Sequence, residues 1–198
     1  MKAVLALVLL LTPICVWGQG TFLFDQESSN LEFAPSYGTG GNIQSFASPW
    51  GQSFTPTLSG VDFIRLLFDD GTPNDALGAT LSINLHSSSI SGPIIGTTAP
   101  VTMPNGFAGP TTFFFPSSVQ LTPGVMYYFE PVLQSGGSWY LETEPHTYLG
   151  GNFFNNGNPL LGTDLWFREG LVVPEPASTP LLLLGVCGFL LAKQTHSS

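Results

Sequence analysis

The chain has 198 residues, with 13 Asp and Glu against only 4 Lys and Arg, a formal net charge of −9. All the acidic residues lie between Asp25 and Glu175, where Arg65 and Arg168 are the only Lys or Arg. Such a field repels phosphate polymers and anionic lipid, so it argues against a nucleic-acid partner and favours solubility.

At the N-terminus, Met1-Lys2 leads into an apolar run from Ala3 to Leu11 and then Thr12-Pro13. This is the pattern of a secretory signal peptide over 1–18, cut by signal peptidase between Gly18 and Gln19. Cys15 follows Ile14, where a lipobox needs Gly, Ala or Ser, so ordinary cleavage is expected rather than lipidation. The only other cysteine is Cys187, so residues 19–172 form an ectodomain that core packing must hold without a disulfide.

That ectodomain is rich in Gly, Pro, Ser, Thr and Phe and shows no helical periodicity. Strand signals recur at short intervals, which predicts an all-β fold: a jelly-roll-like antiparallel β-sandwich of about nine or ten strands. Thr21 to Phe24 opens the series, with a short strand near Ile43 to Phe46 and another at Gln52 to Thr55. In Val61 to Phe68, alternation puts Val61, Phe63, Arg65 and Leu67 on one face and Asp62, Ile64, Leu66 and Phe68 on the other. Neither face is polar throughout, which predicts a central strand. Thr80 to His86 alternates with Leu81, Ile83 and Leu85 inward. Ile94 to Thr98 follows a Gly92-Pro93 turn, and Thr111 to Phe115 is an aromatic strand closed by Pro116. Val125 to Leu133 is a strand broken at Pro131, Ser138 to Thr143 follows a Gly136-Gly137 turn, and residues 155–159 form a loop before a last strand at Asp164 to Val172.

The chain ends on Val173-Pro174-Glu175-Pro176, an apolar segment from Ala177 to Ala192, and Lys193. The two prolines hold the first element extended and outside any helix. As a helix the apolar segment spans about 24 Å, short of a ~30 Å hydrocarbon core. Thr179-Pro180 suits its start and Lys193 a cytoplasmic stop, which predicts a single membrane anchor containing Leu181, Leu184, Phe189 and Leu191. In order and position, these three elements resemble the PEP-CTERM sorting tail of exported Gram-negative proteins. The resemblance covers 173–198 and implies an exosortase partner, an inner-membrane-anchored precursor, and a final place at the cell surface or in the extracellular matrix. Gln52-Ser53-Phe54, Leu81 to Leu85, Leu121 to Phe129 and Asp164 to Arg168 also resemble, in order, the choice-of-anchor β-sandwich ectodomains, which look broadly like carbohydrate-binding modules.

Three groups of residues invite chemistry. Glu142, Glu144 and His146 alternate, and two carboxyls about 5 Å apart on one strand face are what a retaining glycosidase uses; the three could instead contribute metal ligands, and solvated residues at a strand end are the competing reading. The loop Asp69-Asp70-Gly71-Thr72-Pro73-Asn74-Asp75 crowds oxygens as Ca²⁺ prefers, with Asp69, Asp70, Asn74 and Asp75 as ligands, or else its Asp and Asn cap their own backbone. Among the aromatics, Trp139, Tyr148 and Trp166 are candidates for stacking on sugar rings, against the reading that they fill the core. No Gly-x-Ser-x-Gly elbow, phosphate loop or cysteine nucleophile occurs in the ectodomain. The expectation is an exported, non-enzymatic envelope protein needing no cofactor and binding extracellular polysaccharide. A carbohydrate-active hydrolase using Glu142 and Glu144, or a purely structural surface protein, stands as the alternative.

Overall fold

The computed structural model describes residues 20–29, 41–43, 49–145 and 148–174, and every regular element among them is a β-strand. The segment Val61–Phe68 lies inside β4 (Gly60–Asp70), around which the first sheet is laid. One side of β4 pairs antiparallel with β8 (Ala108–Gln120) along nearly its whole length. Its other side takes two strands end to end: β15 (Phe167–Val173) opposite Phe63–Leu66, and β10 (Trp139–Leu141) opposite Phe68–Asp70. Beyond β15 lies β1 (Thr21–Ser28), and beyond β10 lies β2 (Gly41–Asn42). The expected central strand is central.

The second sheet is built on β5 (Ala79–Ser87) and β9 (Tyr127–Gly136), paired from Ala79↔Gly136 to Ser87↔Tyr127. From β9 it continues through β3 (Gly51–Phe54), β12 (Phe153–Asn155) and β13 (Asn158–Leu160). On the far side of β5 lie β6 (Ile94–Thr97) and β7 (Val101–Met103), one after the other. A separate two-stranded ladder joins β11 (Thr143–Pro145) to β14 (Thr163–Leu165).

Alternation decides what lies between the sheets. Ile64, Leu66, Phe68 and Phe113 from the first sheet share one buried cluster with Leu81, Ile83, Leu85 and Phe129 from the second. Phe167 joins the two layers, with its ring centroid 5.4 Å from Phe129 and 5.2 Å from Tyr148. The fold is thus all-β, antiparallel and sandwich-like.

Four local expectations need correction, each for a backbone reason. First, fifteen strands are described where about nine or ten were expected. The segment Ser138–Thr143 divides at Glu142, where the chain leaves β4 and turns to β14, and Asp164–Val172 divides at Trp166. The 155–159 loop is instead a tight hairpin between β12 and β13, with Asn156 and Gly157 at φ 53° and 75°. Positive φ at both central positions is what a primed two-residue turn demands, and Asn-Gly supplies it.

Second, Pro131 does not break β9. Ile83, its partner on β5, directs both its backbone groups to Thr98, so Ile83 and Pro131 form a non-hydrogen-bonded pair. The position lacking an N–H therefore faces away from β5, past the end of β3, whose ladder stops at Phe129. Third, β8 runs through Pro116 to Gln120, its register shifting against β4 between Val61 and Phe63. Fourth, that shift changes the alternation: Val61 joins the core cluster with Ile64, while Phe63 goes to the opposite face of the sheet.

Phe167 is completely buried between the layers and Leu149 is 90% exposed. Phe167→Ala should cost about 3–5 kcal/mol in urea unfolding, with Leu149→Ala within about 0.5 kcal/mol of the parent.

Candidate functional site

The three rings expected to stack on sugars are inside the protein. Trp139 is 0%, Trp166 1% and Tyr148 8% exposed. Trp139 stacks on Phe107 at 6.2 Å. Tyr148 meets Phe167 edge-on, donates its hydroxyl to Gln26 Oε1 at 3.1 Å and accepts the Thr55 amide at 3.0 Å. Burial closes these rings to a sugar. Their size and hydrophobicity put them in the core, and the sequence pattern alone did not separate them from surface aromatics.

The acidic loop uses its carboxylates on itself. Asp70 is buried; one oxygen accepts the Thr72 amide at 2.9 Å and the other the Gly106 amide at 2.7 Å. Asp75 likewise accepts the Thr72 hydroxyl and the Leu77 amide, each at 2.7 Å. Asn74 is exposed. Burial, and then the charge of Asp70, raise the Asp69 carboxyl above its ordinary pKa. Among the described residues no group of three or more His, Cys, Asp or Glu is placed to hold a metal ion.

Glu142 and Glu144 do not share one continuous strand. Glu142 lies at the break between β10 and β11 with its side chain buried, its amide donating to the Leu67 carbonyl and its carbonyl accepting the Trp166 amide, both at 3.0 Å. Glu144 is half-buried within β11, opposite Asp164. The alternation that put the two carboxyls on one face is interrupted at the first of them. His146 lies outside the described residues, as do Gly18, Gln19, Glu175, Pro176 and the segment from Leu181 to Lys193. Val173 is the last residue of β15 and Pro174 follows it, exposed.

A large electrostatic perturbation lies between β1 and β15. Burial, and then the charge of Asp25, push the fully buried Glu169 carboxyl up to about 9, so it is protonated at neutral pH. Burial also raises Asp25, but the Thr57 hydroxyl and the Leu58 and Thr57 amides outweigh it and hold that carboxyl below its usual value. A protonated carboxyl beside an ionised one is the pairing of an acid and a base. Here, complete burial of Glu169 keeps substrate away, and Asp25 ties β1 to the Thr57 turn. A second perturbed group is His86, whose Nδ1 donates to the Gly92 carbonyl at 2.8 Å and whose Nε2 meets Glu130 Oε2 at 3.1 Å. Burial lowers its pKa, but those two partners outweigh burial and raise it.

The exposed aromatic surface is elsewhere, on the outer face of the first sheet. Phe22, Phe24 and Phe114 are 38%, 38% and 44% exposed around the buried Phe63. Phe22 meets Phe63 edge-on at 4.8 Å and stacks near Phe114 at 6.1 Å. Between these rings β15 carries Gly170, opposite Phe63; a Cβ there would overlap the Leu23 carbonyl oxygen, so β1 can close on β15 only at a glycine. On the same face, Arg168 stands directly across the ladder from Arg65. The Arg168 guanidinium lies 5.1 Å from the Phe24 ring and 5.4 Å from Trp166, and pairs with Glu27 at 3.1 Å. Arg65 has a buried Nε without a hydrogen bond, and no ion pair joins it to a described residue.

The sequence names Arg65 and Arg168 as the only Lys or Arg between Asp25 and Glu175 but does not place them side by side, because a ladder between distant segments does so. Part of the signal was present in parity: Phe113-Phe114-Phe115 must turn Phe114 outward if its neighbours turn in, and Phe22 and Phe24, two residues apart, must share one face. Comparison with protein-family models and with curated proteins finds no match for this chain.

Two outcomes follow from these groups. Glu169 has a folded pKa above its unfolded value, so its protonated form contributes fully below about pH 4.5 and the contribution is lost as pH rises toward about 9. Glu169→Gln should therefore gain stability relative to the parent, progressively from pH 5 to pH 9, in parallel chemical melts. Asp70→Ala should cost about 1–3 kcal/mol whether or not a chelator is present, since it leaves two loop amides without their acceptor.

Proposed function

We propose that this chain is an exported cell-envelope or extracellular-matrix protein, sorted through its C-terminal tail, whose jelly-roll-like sandwich binds polysaccharide without catalysis. The observation that carries the sorting half is the ordered tail itself: Val173-Pro174-Glu175-Pro176, the apolar segment 177–192 and Lys193, with an N-terminal secretory pattern. In this reading signal peptidase removes 1–18, the tail anchors the precursor in the inner membrane, and an exosortase reads the Pro-Glu-Pro segment. Two features support access to that segment: β15 ends at Val173, and Pro174, which has no N–H, cannot continue a ladder.

The binding half is supported by the outer aromatic face of β1, β4 and β8, where three Phe rings reach solvent on a rigid sheet. Flat aromatic faces on a rigid scaffold suit the apolar faces of pyranose rings. The non-catalytic reading is supported by the interrupted Glu142–Glu144 pair and by the complete burial of Glu169. Neither a metal nor a nucleic-acid partner is part of the proposal.

Changing both Pro174 and Pro176 to Ala should leave a larger, membrane-retained precursor in fractionated producing cells. Normal processing of that variant would falsify the sorting assignment.

A further inference from the structure

Resting on the polysaccharide-binding reading, we propose that the outer face of the first sheet binds an acidic polysaccharide, gripping a sugar carboxylate between Arg65 and Arg168. The starting point is an electrostatic oddity. Arg65 and Arg168 are the only Lys or Arg between Asp25 and Glu175, against 13 acidic residues, yet the register sets them opposite each other on adjacent strands. Like charges directly opposite across a ladder destabilise a sheet. With carboxylates so abundant, folding alone would pair each arginine separately.

Only one of the two is paired. Glu27 takes Arg168, while Arg65 has no ion pair with a described residue and an Nε buried without a hydrogen bond. Each guanidinium is a fork of N–H donors whose geometry matches a carboxylate bidentately, and the register sets two of them on adjacent strands. Thr112, the partner of Arg65 on β8, adds a hydroxyl in the same row. Phe24, under Arg168, and Phe114, next to Phe63, flank that row with exposed ring surface.

A ligand answering to this arrangement carries one carboxylate beside an apolar ring face, repeated along a chain. That is a uronic-acid polymer. The acidic field repels nucleic acid and polyuronate alike at long range; what separates them is that one carboxylate beside an apolar ring face satisfies the arginine pair, whereas a nucleic acid needs many phosphate contacts. Glu27 is the internal stand-in for the sugar carboxylate: its side chain is 54% exposed, and a bound uronate displaces it from Arg168.

The test is titration of the full-length chain in mild detergent with polygalacturonate, its methyl ester and dextran, at two salt concentrations. The expected result is salt-sensitive binding of polygalacturonate, with the ester and dextran weaker by about tenfold or more, because a charge-assisted bidentate contact is lost. Arg65→Gln should lose about the same factor, with Arg65→Lys intermediate. Glu27→Gln should tighten binding, a gain that a merely misfolded variant cannot give. Equal binding of the three polymers, or unchanged binding by Arg65→Gln, overturns the arginine site while leaving the polysaccharide reading intact. Absence of binding to all three overturns both. A dimer in sedimentation that Phe114→Ser dissolves assigns this face to a second copy and also overturns the proposal.

Discussion

The structure depends on one strand that is bonded on both sides and covered on both faces. β4 pairs with β8 on one side and with β15 and β10 on the other, and its residues are buried almost without interruption. Its inner face, from Ile64 to Phe68, packs on the second sheet and supplies the apolar burial that a disulfide-free domain must rely on. Its outer face cannot be left to water either, because Phe63 lies there. Phe22 and Phe24 of β1 and Phe114 of β8 cover that ring, and in doing so become the exposed aromatic surface. The candidate binding face follows from covering a two-sided strand with one layer of side chains.

How much of this the sequence carries depends on the range of the interaction. Alternation in Thr80–His86 and the two-sided character of Val61–Phe68 are local, and both read through to the structure: Leu81, Ile83 and Leu85 are fully buried, and β4 is central. The meaning of a proline depends on its neighbour across the ladder. Pro131 is harmless because β3 ends before reaching it, a fact about pairing rather than about Pro131. The grouping of Val61 with Phe63 failed because a register shift on β8 lies between them, and register shifts are set by the partner strand.

The site shows the same division. Trp139, Tyr148 and Trp166 suit a sugar by residue type, and type does not distinguish a core aromatic from a surface one. Arg65 and Arg168 could be named from the sequence, but their adjacency arises from a ladder joining residues far apart in the chain. The network that holds the Tyr148 region also has long reach: Gln52 donates to Asp164 at 2.9 Å and accepts the Leu165 amide at 3.0 Å, while Asp164 accepts the Tyr148 amide at 3.1 Å. These bonds bury polar groups where each finds a partner, which makes the meeting of β3, β14 and the chain before β12 specific rather than merely greasy.

The position of β15 has a mechanical consequence. It is the last strand before Pro174, yet it lies in the interior of its sheet, with β1 on one side and β4 on the other. Tension arriving along the chain from beyond Pro174 therefore meets no free edge to peel. Such tension would load two ladders at once, with the completely buried Phe167 anchoring the other end of the strand. A load applied at the Pro174 end would be borne by the middle of the sheet rather than by an edge strand.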